Sequence, residues 1–501
     1  MAAISTLGIS PAADFATEDS PRSALPALLT TAVNMSPDLP NHILIVGGGV
    51  FGLSTALALS RRHKGSITLL EAAPAIPNPH GSSVDSSRIL RADYANPAYA
   101  RLAQQALTQW RSTPWGHDGR YNRNGLVLVA SSSSSGDHTY VRKSYENIKC
   151  LSPDAVELLP TASDVRRVVP GYGVAAHVSG GYVNWDSAWS DAESAIRHAK
   201  HLLDETGRVT FLSGQAERLI IDHSNNNQNQ VTGVELSDGN RISADLVVLA
   251  TGAWTGKLVD LRGRAEATGH PLAYLPLTDE EQRQLNDMPT VLNLSTGMFI
   301  IPPRNNELKI GRHGYGYRNP VRINHPTASS APVEVSLPLH GTSVPLEGQL
   351  AARAALREML PALADRPFSK TRVCWYTDTP KGDFIISYHP EIKSLFIATG
   401  GSGHGYKFLP VLGDKIVDAM QGILDSDLAR LWAWTDNPVT TPAGGLGVVW
   451  TEDGSRSGAR GMLLVDELEK STNTSPSNCP SNCPSNSTND NSGDAKVISK
   501  L

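Results

Sequence analysis

Cys374 stands in Arg372-Val373-Cys374-Trp375-Tyr376-Thr377-Asp378-Thr379-Pro380, a thiol set among aromatics. A second dense stretch follows, Ala398-Thr399-Gly400-Gly401-Ser402-Gly403-His404-Gly405-Tyr406-Lys407-Phe408. Either is commonplace alone. Downstream of a glycine-rich fingerprint near the N-terminus, they read together as the flavin end of an oxidase. The chemistry expected is a redox step on an amine, with sulfur at hand to fix the flavin covalently. Two arginines three apart, in Ser86-Ser87-Arg88-Ile89-Leu90-Arg91, add planar cations suited to a carboxylate. Leu308-Lys309-Ile310-Gly311-Arg312-His313 adds an amine and an imidazole.

The elements that must position these groups start with His42-Ile43-Leu44-Ile45-Val46, an apolar run ending in Gly47-Gly48-Gly49-Val50-Phe51-Gly52. A helix with Leu53, Ala56, Leu57 and Leu59 on its apolar face follows, then the run Ser66-Ile67-Thr68-Leu69-Leu70-Glu71. Strand, glycine turn, helix and strand make the dinucleotide-binding βαβ unit. Gly47 allows the tight turn, Gly49 lets a pyrophosphate approach the backbone, and Gly52 lets helix and strand pack. Val50 and Phe51 open the helix, whose N-terminus supplies N–H donors for phosphates. Glu71 ends the second strand, where a carboxylate takes the ribose hydroxyls of an ADP-bearing cofactor. Ala72-Ala73-Pro74 offers no cation for a 2′-phosphate, which disfavours NADP.

After residue 205 the pattern turns to short strands: Arg208 to Leu212, Ala216 to Ile221, and Val231 to Leu236 with a hairpin turn at Asp238-Gly239. The apolar run Leu246-Val247-Val248-Leu249 then ends in Thr251-Gly252. Residues 290–345 read as β structure with loops, 347–361 as a helix, Ser394 to Thr399 as a buried strand, and 408–424 as a helix with Pro410 in its first turn. The fold class expected is α/β: an FAD-binding Rossmann-like domain of the glutathione-reductase type and a second, mixed-sheet substrate domain. Residues 41–98, 181–256 and 371–440 are assigned to the discontinuous cofactor domain, and 99–180 and 257–370 to the substrate domain. Residues 441–470 form a C-terminal arm.

The 501 residues exceed one ordinary core. A hydrophobic share of 40%, a charged share of 19% and a net charge of −5 give no reason to expect nucleic acid or an anionic membrane as partner. Four cysteines do not make a disulfide framework; Cys479 and Cys483 sit in a Ser-Asn-Cys-Pro repeat of the tail. Residues 1–40 are expected to be a disordered extension without a secretory or mitochondrial signal, and Met35 is a candidate second start. Residues 471–501 are expected to be a disordered tail carrying Ser499-Lys500-Leu501, a peroxisomal address read by an import receptor. No zinc spacing, P-loop or Ser-His-Asp order is present.

Over residues 42–440 the chain resembles the D-amino-acid-oxidase-type flavoproteins, in the branch of sarcosine, pipecolate, saccharopine and fructosyl amino acid oxidases. The resemblance implies an FAD enzyme that oxidises the C–N bond of a secondary amino acid to an imine, with oxygen reduced to hydrogen peroxide. A monomer is expected. Arg88 would lie against the flavin ring and Arg91 would reach the substrate carboxylate, paired with Lys407. Lys309 would sit near flavin N5 and assist oxygen; His313 would orient substrate or accept a proton. Cys374 would bond the flavin 8-methyl carbon, and Tyr376 would line the pocket. Asp378 either binds a cationic substrate or caps the turn before Pro380. The glycines of 400–407, Gly403 and Gly405 among them, would let backbone N–H groups approach the flavin, with the following helix aiming its positive end there. His404 would be a turn or flavin-contact residue. Ser87, Ala216 and Gly252 complete the expected cofactor contacts.

The chain departs from sarcosine oxidase at Met298-Phe299-Ile300-Ile301-Pro302-Pro303, where a pocket phenol is missing. Gly314-Tyr315-Gly316-Tyr317 and a loop with His325-Pro326 alter the entrance. That motivates an alternative reading, a tailoring oxidase of natural-product biosynthesis that makes an imine for ring closure. A third reading is an idle flavin- or NAD-binding protein.

Overall fold

A computed structural model describes residues 38–131, 135–174, 176–224, 229–325, 332–435 and 451–473. Strand β1 (His42–Val46), helix α1 (Val50–Arg62) and strand β2 (Ser66–Glu71) form the predicted βαβ unit. They nucleate a six-stranded sheet in the order Ile385–Tyr388, Leu395–Thr399, Leu246–Leu249, β1, β2, Val209–Ser213. All pairs are parallel except the first. Near-continuous apolar strands suit a sheet covered on both faces: Ile43, Ile45 and Val248 pack into one core, Leu44, Val247 and Leu249 into another. The hairpin around Asp238-Gly239 forms as expected, joining Asn229–Leu236 to Arg241–Ser243.

A second sheet of eight strands runs Lys370–Asp378, Glu266–Pro276, Glu307–Arg312, Met298–Arg304, Thr290–Asn293, Leu126–Ala130, Gly180–Asn184, Val156–Leu158. Three of its strands carry the chemistry and are called β3 (Glu266–Pro276), β4 (Glu307–Arg312) and β5 (Lys370–Asp378). Two segments assigned by sequence to the cofactor domain lie here instead. β5 pairs with β3 from Lys370 to Asp378, and Gly180–Asn184 pairs with Leu126–Ala130. Alternating or apolar runs look alike in either sheet; long-range pairing decides their membership.

Helix Leu346–Met359 forms near the expected place. The helix expected over 408–424 is shorter, Leu412–Met420, and Pro410 precedes it rather than opening its first turn. Its first turn is tied to α1, with Gly413 N donating to Ser54 Oγ at 2.6 Å. That contact takes one of the N–H groups at the end expected to face the flavin. Residues 471–473, expected in the tail, close the helix Leu464–Asn473. The extension to residue 37, residues 441–450, and the tail from 474 with Cys479, Cys483 and Ser499–Leu501 lie outside the described residues, as does Pro326.

Candidate active site

The βαβ turn is built for close approach. Gly47 has φ +108°, and a Cβ on Gly52 would fall 1.8 Å from Gly47 O, so no side chain fits where helix meets strand. Gly49 caps α1 with no side chain of its own; Val50 N donates to Ser83 Oγ at 3.0 Å, and the remaining first-turn N–H groups leave that end suited to an anion. Glu71 Oε2 accepts from Gly48 N at 2.7 Å, and Oε1 from Asn78 Nδ2 at 2.7 Å and Ala73 N at 3.0 Å. The carboxylate therefore also braces the turn.

From this turn a cavity of about 770 Å³ runs through the molecule, within the range of cofactor and ligand sites. Gly47, Gly49, Val50, Phe51, Glu71, Ala216 and Gly252 line it, and so do Arg88, Arg91, Lys309, His313, Tyr376, Gly403, Gly405 and Lys407; Phe51 bridges the two groups, since a Cβ on Gly405 would lie 2.9 Å from its ring. Thus the early glycine elbow and the late glycine turn face one space. Three expected residues are not on its wall. Gly52 serves packing. Ser87 turns its carbonyl to Lys309 Nζ at 2.7 Å. Cys374 is buried behind Arg88, whose Nη2 lies 3.5 Å from Sγ.

Lys309 and Arg88 share a counter-ion that the sequence reading missed. Asp85 pairs with Lys309 at 2.7 Å, with Arg88, and accepts from Tyr274 O–H at 2.7 Å. Burial works to raise the Asp85 pKa, but the two cations outweigh it and hold the carboxyl well below its usual range. Burial pushes Lys309 down to about 8, with Asp85 partly opposing.

The cations expected to grip a carboxylate meet around Tyr94, a second missed residue. Arg91 and Lys407 stand 5.0 Å and 5.1 Å from its ring centroid. Lys407 Nζ donates to the Tyr94 hydroxyl at 2.7 Å, Tyr94 O–H donates to His404 Nδ1 at 3.0 Å, and His404 Nε2–H donates to Gly382 O at 2.7 Å. The chain fixes the tautomer of His404. Burial, reinforced by Arg91, holds Lys407 well below the usual lysine range. Arg91 also donates to Asp93 O. Asp93 is itself buried among Tyr182, Asn184 and Ser187.

Tyr376 projects from β5 with His270 of β3 stacked on it at 3.9 Å between ring centroids. Gly403 lets the late turn close on that ring, since a Cβ there would lie 2.3 Å from Tyr376 Cε2. Neither reading of Asp378 survives in simple form. Its carboxylate is buried and accepts from Thr268 Oγ1 at 2.6 Å and from Arg456 Nη2 at 2.7 Å. The missing phenol is matched by an apolar wall, Phe299 and Ile301.

The chain matches the FAD dependent oxidoreductases over residues 42–419. It is 34% identical over 471 residues to the amino acid oxidase imqH of Aspergillus flavus, covering 78% of this chain and 97% of that one. It is 29% identical to the L-saccharopine oxidase of Schizosaccharomyces pombe, covering 79% and 93%. Among solved structures, fructosyl peptide oxidase from E. terrenum superposes with a TM-score of 0.74 at 25% identity, covering 85% of this chain and 96% of that one. Fructosamine oxidase of Aspergillus fumigatus in complex with FSA gives 0.72 at 27%, covering 85% and 95%. A turn that admits no side chain, a cavity running from it to paired buried cations, and these matches agree: the chain belongs to the FAD dependent oxidoreductase family.

Proposed function

We propose that the protein is an FAD-dependent oxidase of a secondary, N-substituted amino acid. The observation that carries this reading is the meeting of Arg91 and Lys407 around Tyr94 inside a cavity shared with the Gly47–Gly52 turn. Two cations buried together, each without a carboxylate partner among the described ion pairs, suit a carboxylate guest. Gly47, Gly49, Phe51 and Glu71 would hold the ADP half of FAD. Arg88, Lys309, Tyr376 and the Gly403–Lys407 turn would face its ring. Bound FAD supplies hydride acceptance from the carbon bearing nitrogen and delivery of both electrons to oxygen, giving an imine and hydrogen peroxide.

The residues do the rest. Arg91 and Lys407 bind and orient the carboxylate, so the amine end of the guest lies toward Tyr376 and His313. Phe299 and Ile301 exclude water from the reacting bond. Lys309 keeps a cation beside the ring. An ammonium cannot release hydride readily, so the amine proton must leave first.

Cys374 is the residue we assign to covalent attachment. The motif Cys374-Trp375-Tyr376 supports this, and it requires Arg88 to turn away from Sγ. The alternative is a tailoring role in secondary metabolism, with the imine used for ring closure; what motivates it is the apolar wall of Phe299 and Ile301 where a pocket phenol is missing. Ser499-Lys500-Leu501 is read as a peroxisomal address for an import receptor. Loss of punctate fluorescence when the tripeptide is removed from a tagged full chain would bear that out; unchanged distribution would reject it. The protein is proposed to act as a monomer, which gel filtration checks.

The function is tested with purified enzyme given sarcosine, pipecolate, saccharopine and fructosyl-valine while peroxide is followed. Turnover of one of them supports a catabolic oxidase. Activity on none favours the tailoring reading, and a colourless protein without a flavin band sinks both. The mass of the denatured protein, native and Cys374→Ser, tests attachment: an FAD increment is expected only in the first.

A further inference from the structure

The segment 451–473 returns across the site and delivers Arg456 into it. The Arg456 side chain is 1% exposed. Its Nη2 donates to Asp378 Oδ1 at 2.7 Å and to Ser402 O at 2.7 Å, and its Nη1 lies 3.0 Å from His313 Nδ1. The guanidinium stands 5.3 Å from the centroid of the Tyr376 ring. Three strands and a turn are thereby tied to one side chain: β5 through Asp378, β3 through the Thr268 contact to Asp378, the end of β4 through His313, and the late turn through Ser402.

A guanidinium only donates, so His313 Nδ1 must accept. An imidazole that accepts at Nδ1 carries its proton on Nε2. His313 lines the cavity, and the hydrogen bond its ring makes among the described residues is at Nδ1, which leaves Nε2 for a guest.

We propose that Arg456 is a positioning residue: by occupying Nδ1 it makes His313 a hydrogen-bond donor, through Nε2, to the guest held by Arg91 and Lys407. The ring is thereby denied the role of proton acceptor. The assignment of that guest rests on the function proposed above; the state of the ring does not.

The surroundings agree with a ring that stays uncharged. His313 faces Arg456 from the returning segment, Arg91, His270 from β3 and His404 from the late turn, with Tyr376 6.1 Å away on β5. Burial comes first and these cations and rings add to it, holding His313 well below the usual imidazole range. Among the described residues, Asp378 is the carboxylate bound to the group, and it is engaged by Arg456 rather than by His313. The amine proton must therefore leave to another acceptor, or the guest must enter with its nitrogen already neutral.

The test reads the ring directly, on the flavin-loaded full chain labelled with 15N-histidine. The His313 signals are assigned by their loss in His313→Asn. The expected result is a bare Nδ1 and a protonated Nε2, unchanged from pH 5 to 8. In Arg456→Ala, His313 is expected to titrate at a higher pH than in the unmodified enzyme, with burial and Arg91 still holding it below the ordinary value, and kcat/KM to fall roughly tenfold or more, the scale of one lost charged hydrogen bond. That new ionisation should also appear in the pH profile of kcat/KM and vanish in Arg456→Ala/His313→Asn. A proton on Nδ1 in the unmodified enzyme overturns the proposal, as does a His313 titration identical with and without Arg456. If Arg456→Ala does not fold, the tautomer of the unmodified protein decides alone. An enzyme idle on every amine tried but with the expected tautomer would sink the substrate assignment and uphold the role of Arg456.

Discussion

Lys309 Nζ and Asp85 Oδ2 are 2.7 Å apart in a pair sealed from solvent, and the same carboxylate anchors Arg88 and the Tyr274 hydroxyl. One anion thus fixes two cations of the proposed flavin face. Removing one partner of a buried pair leaves the others desolvated and unpaired, which costs about 3–5 kcal/mol. Asp85→Asn should therefore lose stability on that scale in urea unfolding of the flavin-loaded protein. It should lose more than Tyr274→Phe, which deletes only one neutral donor and should cost about 1–2 kcal/mol.

The same pair sets a pH dependence. Lys309 is pushed down to about 8, so its cationic form is complete at pH 6 and falls away as pH rises through 8. If that cation speeds reoxidation, the oxidative half-reaction should slow above pH 8, approaching tenfold per pH unit. The reductive half-reaction should move the opposite way, because a higher pH strips the proton from the substrate ammonium. Stopped-flow measurement of each half-reaction from pH 6 to 10 separates the two. A reoxidation rate flat across that range would remove Lys309 from the oxygen step.

Tyr94 is the hub between Lys407 and His404. Tyr94→Phe keeps the ring that both Arg91 and Lys407 face but deletes the acceptor for Lys407 and the donor for His404. The loss is expected at about 1–3 kcal/mol, read as a roughly fivefold to 150-fold lower kcat/KM. It should fall mainly on KM, since carboxylate binding rather than bond breaking depends on Lys407. Unchanged KM with a normal flavin spectrum would separate Tyr94 from the carboxylate site.

The cofactor end was legible in the sequence because its chemistry is local. Glycine spacing, an apolar strand and Glu71 lie within thirty-odd residues of each other, and their positions follow from the βαβ geometry. Asp85 was within reach too, three residues before Arg88 beside a quoted motif, but an acid beside an arginine looks like surface pairing until burial is known. Arg456 carried no such signal. It lies in a glycine- and serine-rich stretch that reads as a loop, and its partners Asp378, Ser402 and His313 are 54 to 143 positions away. The membership of β5 was missed for a related reason, since nine residues with a short apolar run at Val373–Trp375 fit either sheet by local pattern alone. Long-range register is what local patterning leaves open.

Gly403 offers a test of whether closeness or backbone freedom matters more at the ring face. It has φ +65°, and an added Cβ would lie 2.3 Å from Tyr376 Cε2. Gly119 has φ +73° with nothing within 4 Å of the same position. Alanine at either site bears the left-handed strain of about 1–2 kcal/mol. Only Gly403→Ala must also push an aromatic ring aside in a packed wall, adding about 1–3 kcal/mol. Gly119→Ala should lower the melting temperature slightly and leave turnover and flavin spectrum unchanged. Gly403→Ala should lower it further, shift the flavin band and cut kcat/KM, because Tyr376 cannot move without disturbing His270 stacked on it. Equal melting temperatures for the two variants would mean the turn gives way rather than the ring, and that Tyr376 is not held by Gly403.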